Sequence, residues 1–87
     1  MRIEIRNSFV KDAEKLSATE QKQLAAIIQL IEDASKLQDI IGIKKLQGHK
    51  SAYRIRMGKN RIGLFFEQGV VELVRILTRK DIYRYFP

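Results

Sequence analysis

Ser51–Pro87 reads SAYRIRMGKNRIGLFFEQGVVELVRILTRKDIYRYFP, and its alternation decides the fold. Tyr53, Ile55 and Met57 alternate with Arg54 and Arg56, and Ile62, Leu64 and Phe66 alternate with Arg61, Gly63 and Phe65. A period of two marks strands whose successive side chains point to opposite sides of a sheet. Gly58–Lys59–Asn60 and Gln68–Gly69 interrupt these runs with turn-forming residues, so a hairpin and then a third strand are expected. The third run, Val70–Thr78, is apolar on both parities, as suits a central strand. Simple alternation assigns Val74 and Ile76 to one side of it, and Leu73, Arg75, Leu77 and Arg79 to the other. A basic tail follows, in which Tyr83, Tyr85 and Phe86 can close the core.

Upstream, Ile3 and Ile5 alternate with Arg2, Glu4 and Arg6, which predicts a short strand. Asn7 and Ser8 are good helix N-caps, and Phe9, Val10, Ala13 and Leu16 follow at helical spacing. Ser17 with Glu20 three residues later fits a capping box, opening a second helix. Its apolar stripe is Leu24, Ile27, Ile28, Ile31 and Ala34, flanked by Leu30 and Ala25. Residues 37–51, LQDIIGIKKLQGHKS, lose the helical period and form a connector. Ile40, Ile43 and Leu46 pin it to the core, while Lys44, Lys45 and Lys50 stay in water. The expected fold is α+β over one domain, residues 1–87. An N-terminal strand and a two-helix hairpin precede a three-stranded antiparallel meander, with the helices packed on one face of a mostly antiparallel sheet.

The chain has 87 residues, no cysteine and a formal net charge of +7. It is long enough for one core, and without cysteine that core is held by packing alone. No apolar run approaches the roughly 20 residues of a membrane span, and MRIEIRNSF lacks the apolar core of a signal peptide. A cytoplasmic protein with no membrane association is expected. The charge is unevenly divided: residues 1–43 balance at −1, residues 44–87 at +8. Such asymmetry points to a polyanionic partner, a nucleic acid or an acidic protein segment.

With the apolar parity turned towards the helices, Arg54, Arg56 and Arg61 fall on the opposite, uncovered face, with Arg75 and Arg79 beside them. Arg54 and Arg56 are close neighbours on one strand and repel each other unless an anion lies between them. Guanidinium groups bind phosphate through paired N–H donors while remaining charged. No P-loop, dinucleotide-binding glycine pattern, HExxH helix or serine elbow is present. His49 stands alone in a polar loop, with no second histidine or any cysteine to share a metal, so neither metal nor cofactor is expected. Carboxylates are scarce in the C-terminal half, which disfavours paired-carboxylate chemistry. Phosphodiester cleavage in RNA fits these constraints. There the ribose 2′-OH is the nucleophile, and the protein supplies orientation, positive charge and proton transfer. Positive surroundings favour the phenolate form of a tyrosine and so its use in proton transfer.

The segments SFVKDAEKL, IKKLQG, YRIRMGKNRIGLFFE and LVRILTRKDIYRYFP, in that order, resemble the RelE/ParE superfamily of type II toxin–antitoxin toxins, most closely its RelE-like branch. The resemblance implies a ribosome-dependent endoribonuclease that cuts mRNA and inhibits translation. It implies a cognate acidic antitoxin that wraps the toxin, with operator DNA bound only through the complex. It matches Arg61 to an arginine at the scissile phosphate, Arg79 to an arginine after the last strand, and Tyr83 to a tyrosine that stacks on a base or assists proton transfer. It matches Arg54 and Arg56 to the basic pair on the first hairpin strand; Lys44, Lys45, Arg75 and Lys80 complete the candidate RNA-binding set. One departure stands out: many relatives read HRKDIYR where this chain has Thr78 before Arg79, leaving Lys80 or Tyr83 to move the proton. The superfamily also contains ParE-like gyrase inhibitors, and the same residues suit a weakened toxin that acts mainly by binding its antitoxin.

Overall fold

A computed structural model describes residues 1–87. In chain order the elements are β1 (Arg2–Ile5), α1 (Asn7–Ala13), α2 (Ala18–Asp33), a 3-10 turn at Leu37–Asp39, β2 (Ile43–Lys45), β3 (Ala52–Met57), β4 (Asn60–Glu67), β5 (Val70–Thr78) and α3 (Arg79–Tyr85). The five strands make one sheet in the order β1-β5-β4-β3-β2, antiparallel except where β1 runs parallel to β5. The α+β class, the helical hairpin and the meander stand as expected. Two elements add to the expected set: β2, inside the connector, and α3, in the tail. No helix is long and apolar enough to cross a membrane.

The main core lies between the helical hairpin and one face of the sheet. Phe9 of α1 and Leu24 and Ile31 of α2 meet Ile55 and Met57 of β3, Ile62 and Leu64 of β4, and Val71, Leu73 and Ile76 of β5. The predicted capping box starts α2: the Ser17 hydroxyl accepts from the Glu20 N–H at 3.1 Å, and Glu20 accepts from the Ser17 N–H at 2.9 Å. The caps expected for α1 are corrected. Its N-cap is Arg6, with no side-chain cap, and Asn7 and Ser8 lie inside the helix. The Ser8 hydroxyl donates instead to the carbonyl of Val74 at 2.6 Å. β1 stops opposite Leu73, so the edge of β5 beyond that point lacks a strand partner. Ser8 and the carboxylate of Asp12, which accepts from the Ile76 N–H at 3.1 Å, satisfy that edge from α1.

The opposite face is not left uncovered. α3 folds back across it, and Ile82 and Phe86 bury against Ala52 and Val74 in a second, smaller core. Gly63 makes this possible: a Cβ there would lie 2.6 Å from the Phe86 ring, so only glycine admits the ring at that point. A bulge corrects the side assignment in β5. Gly63 pairs with Arg75 but Leu64 with Leu73, so Val74 is the extra residue. Val74 therefore joins the α3 side, while Leu73 and Ile76 share the main core. In the connector, Ile40 is buried and Ile43 packs on the main core, with Leu46 on the smaller one. β2 is a three-residue edge strand ending in two lysines, a composition that discourages further strand pairing.

Candidate functional site

Between β2, the β3–β4 hairpin and the start of α3 opens a pocket of about 400 Å³, lined by Gly42, Ile43, Lys44, Arg54, Arg56, Arg61 and Arg79. Five of these seven residues are cations and none is an acid. The sheet register brings them together. Lys44 lies opposite Arg54 across β2–β3, and Arg56 lies directly opposite Arg61 across β3–β4. Arg79 joins them because β5 ends at Thr78, whose side chain accepts from the Asp81 N–H at 3.4 Å and caps α3. Gly42, at a φ of 84° that favours glycine, carries the chain past the pocket, and its carbonyl accepts from the Arg56 N–H at 3.2 Å.

Arg61 is the deepest of the set, 8 % exposed. Its Nη1 donates to the carbonyls of Gly58 at 2.8 Å and Asn60 at 2.9 Å, and Nη2 has no partner within the chain. Its Nε is buried with no hydrogen-bond partner. Burial pulls its pKa below the ordinary arginine value, and the charges of Arg54, Arg79 and Arg56 add to that pull. The charge of Tyr83 acts on it in the opposite sense. A buried, partly unsatisfied cation held among other cations is what an incoming anion would stabilise.

The remaining candidates divide. Tyr83 and Lys80 lie exposed on α3. Lys45 lies opposite Tyr53, whose ring packs on the main core, so it points away from the pocket that Lys44 lines. Arg75 is set apart from the other arginines. Its Nε and Nη2 donate to the Asp12 carboxylate at 2.7 and 3.2 Å, and its guanidinium lies 5.8 Å from the centre of the Tyr85 ring. The Asp12 hydrogen bonds raise its pKa. Its charge is already answered, unlike that of Arg61. Asp12 stands 63 residues away in the chain, and no local pattern announces the pairing. The same holds for the Asn60 amide of the hairpin, which donates to the Glu20 carboxylate of α2 at 2.9 Å across 40 residues of chain.

No family model matches the chain. It is 35 % identical over 88 aligned positions to toxin RelE3 of Methanocaldococcus jannaschii, across the full length of both proteins. The crystal structure of a RelB–RelE antitoxin–toxin complex from Methanococcus jannaschii contains a chain that is 33 % identical, with a TM-score of 0.83 over 97 % of this chain and 99 % of that one. An archaeal RelE–RelB complex from Pyrococcus horikoshii gives 0.72 at 20 % identity, over 90 % and 93 % of the two chains, and shows the shared fold. Full-length identity to a RelE toxin, on the fold that carries the cation pocket, means that this chain belongs to the RelE family of toxin–antitoxin toxins.

Proposed function

We propose that this protein is a cytoplasmic, metal-independent endoribonuclease that cuts mRNA on the ribosome and so inhibits translation. The observation that supports this most is the pocket itself, with five cations, no acid and a buried arginine whose Nε and Nη2 lack partners. In the reaction, the 2′-oxygen of a ribose attacks the adjacent phosphorus and the bond from phosphorus to the 5′-oxygen breaks. One proton leaves the 2′-hydroxyl and another reaches the departing 5′-oxygen, giving a 2′,3′-cyclic phosphate and a free 5′-hydroxyl. Negative charge builds on the phosphoryl oxygens as the five-coordinate state forms. Arg61 and Arg79 are the groups to receive it, and the burial of Arg61 strengthens its interaction. Lys44, Arg54 and Arg56 hold the flanking phosphates and fix the strand.

Proton transfer falls to Tyr83 or Lys80. Thr78, where many relatives carry histidine, is occupied as the cap of α3. Tyr83 is the better candidate because its charge is among those that act on Arg61, and that of Lys80 is not. Its exposed ring is also free to stack on an unpaired base. The same basic surface suits an acidic antitoxin, and the RelB–RelE complex of its 33 % identical relative supports such a partner. Operator DNA would be engaged only through that complex.

The test is to map mRNA 5′ ends after brief induction, and to repeat the cleavage on isolated ribosome complexes with a chelator present. New 5′-hydroxyl ends inside codons, insensitive to chelator, are expected. Arg61→Ala should slow cleavage by about 10²-fold or more, as for loss of a group aimed at transition-state charge. Growth arrest without new ends, or arrest undiminished in R61A, would overturn the reading. Inhibited supercoiling without cleavage would assign the protein to the gyrase-inhibitor mode.

A further inference from the structure

Arg61 sits where electrostatics alone would not keep it. It is buried among Arg54, Arg56 and Arg79, and no carboxylate lines the pocket. A free guanidinium would swing towards water. What retains it are the two carbonyls of Gly58 and Asn60, both accepting from Nη1. These carbonyls belong to the β3–β4 turn, so the position of Arg61 is the position of that turn. The turn also places α3, because the Lys59 carbonyl accepts from the Arg79 N–H at 3.2 Å.

One side chain ties the turn to the rest of the molecule. Asn60, 5 % exposed, donates through Nδ2 to Oε2 of Glu20 at 2.9 Å, a contact spanning 40 residues of chain. The other oxygen of Glu20, Oε1, accepts from the Ser17 N–H and completes the capping box of α2. Both hydrogen bonds favour the ionised carboxylate, the Ser17 N–H most and the Asn60 amide in support. A capping box requires only Oε1. The second oxygen of Glu20 therefore has a separate task, to hold the hairpin against the start of α2.

We infer that Glu20 and Asn60 are positioning residues for the cation pocket: together they anchor the turn whose carbonyls hold Arg61 and whose Lys59 carbonyl fixes Arg79. The inference rests on the ribonuclease reading for its kinetic consequence, and on the geometry alone for its structural one. It assigns a catalytic effect to two residues that touch no substrate, one of them in the first turn of α2. Displacement by about 1 Å in such a group can cost on the order of 10²-fold in rate.

The hydrogen bond can be reversed, which gives the test. Asn60→Asp sets two carboxylates against each other. Glu20→Gln added to it restores the contact with donor and acceptor exchanged: the glutamine oxygen still accepts from Ser17, and its amide now donates to the aspartate. In ribosome-dependent cleavage, N60D should lower kcat about tenfold or more with KM changed by less than about threefold, and N60D/E20Q should return kcat to within about threefold of wild type. Ser17→Ala, which weakens the helix cap but spares the Glu20–Asn60 contact, should lower the melting temperature and leave kcat in place. The Arg61 guanidinium gives a readout independent of cleavage. In 15N-detected NMR, the wild type should show separate, slowly exchanging Nη1 and Nη2 signals that merge in N60D and separate again in N60D/E20Q. A wild-type kcat in N60D, a double variant no better than N60D, or an unchanged Arg61 signal in N60D would overturn the inference. If the wild type cuts no mRNA, the ribonuclease reading falls and the NMR series still decides the positioning.

Discussion

Arg75 and Arg61 lie on neighbouring strands, Arg75 opposite Gly63 and Arg61 two residues before it, yet the fold treats them in opposite ways. Arg75 is gripped by the Asp12 carboxylate and covered by the Tyr85 ring. Arg61 receives only neutral carbonyls and is ringed by cations. A basic composition could have been neutralised wherever side chains converge; here the charge of Arg75 is answered by an acid, and that of the five converging cations of the pocket is not. The difference separates an arginine that builds the molecule from one positioned for a ligand. It also predicts opposite signs: removing charge at the first site should destabilise, and removing it at the second should stabilise.

The largest effect belongs to the closed pair. Asp12→Ala leaves the Arg75 guanidinium without its counter-ion and the Ile76 N–H without an acceptor. Arg75 is partly open to water, which lowers the cost below that of a fully buried pair; a loss of about 3 kcal/mol is expected, readable by urea denaturation. Asp12→Asn should cost less, since its amide oxygen still accepts one of these bonds. If D12A is as stable as the wild type, Arg75 is not a structural arginine, and its separation from the pocket loses its meaning.

Next comes the hinge between the two regions. Gly63→Ala places a methyl group 2.6 Å from the Phe86 ring, so α3 must shift outward or the ring must leave its site. Overpacking of this kind costs about 2 kcal/mol. Because Arg79 and Tyr83 ride on α3, G63A should lower cleavage by more than its lost stability explains at a temperature where it is fully folded. Limited proteolysis should cut the C-terminal segment faster. A variant that is destabilised but fully active would separate α3 from the site.

How far the sequence could disclose these regions follows from the range of the interactions involved. The alternation in β3 and β4 is local, and it placed Arg54, Arg56 and Arg61 on one side of the sheet correctly. The capping box at Ser17 and Glu20 is local too, and it was legible. The bulge at Val74 was not: it inserts one residue without changing composition, so strict alternation put Leu73 on the side of Arg75 and Val74 on the side of Ile76, the reverse of where they pack. α3 was missed because RKDIYRY reads as a polar tail until the Gly63 gap is known to receive Phe86. β2 has only three residues, and its strand character comes from pairing with β3. The arginine set was therefore visible from sequence, whereas the long-range partners that divide it, Asp12 at one end and Glu20 with Asn60 at the other, were not.

The smallest effect is the most pointed. Arg56 and Arg61 are direct cross-strand partners of like charge, an arrangement that is destabilising without an anion between them. Arg56→Gln should therefore raise stability in dilute buffer, by about 0.5 kcal/mol, the size of a cross-strand pair effect. Added salt screens the repulsion, so the gain should shrink as ionic strength rises past about 0.1 M, where the Debye length falls to about 10 Å. Pyrophosphate should act more strongly than chloride at equal ionic strength. A ligand that binds the folded pocket and not the unfolded chain stabilises the fold, so pyrophosphate should raise the wild-type melting temperature with concentration. R56Q should respond less, having lost one of the five cations. A destabilised R56Q, or a wild type indifferent to pyrophosphate, would mean that the cations are already satisfied within the fold, and the contrast between Arg61 and Arg75 would then be one of burial alone.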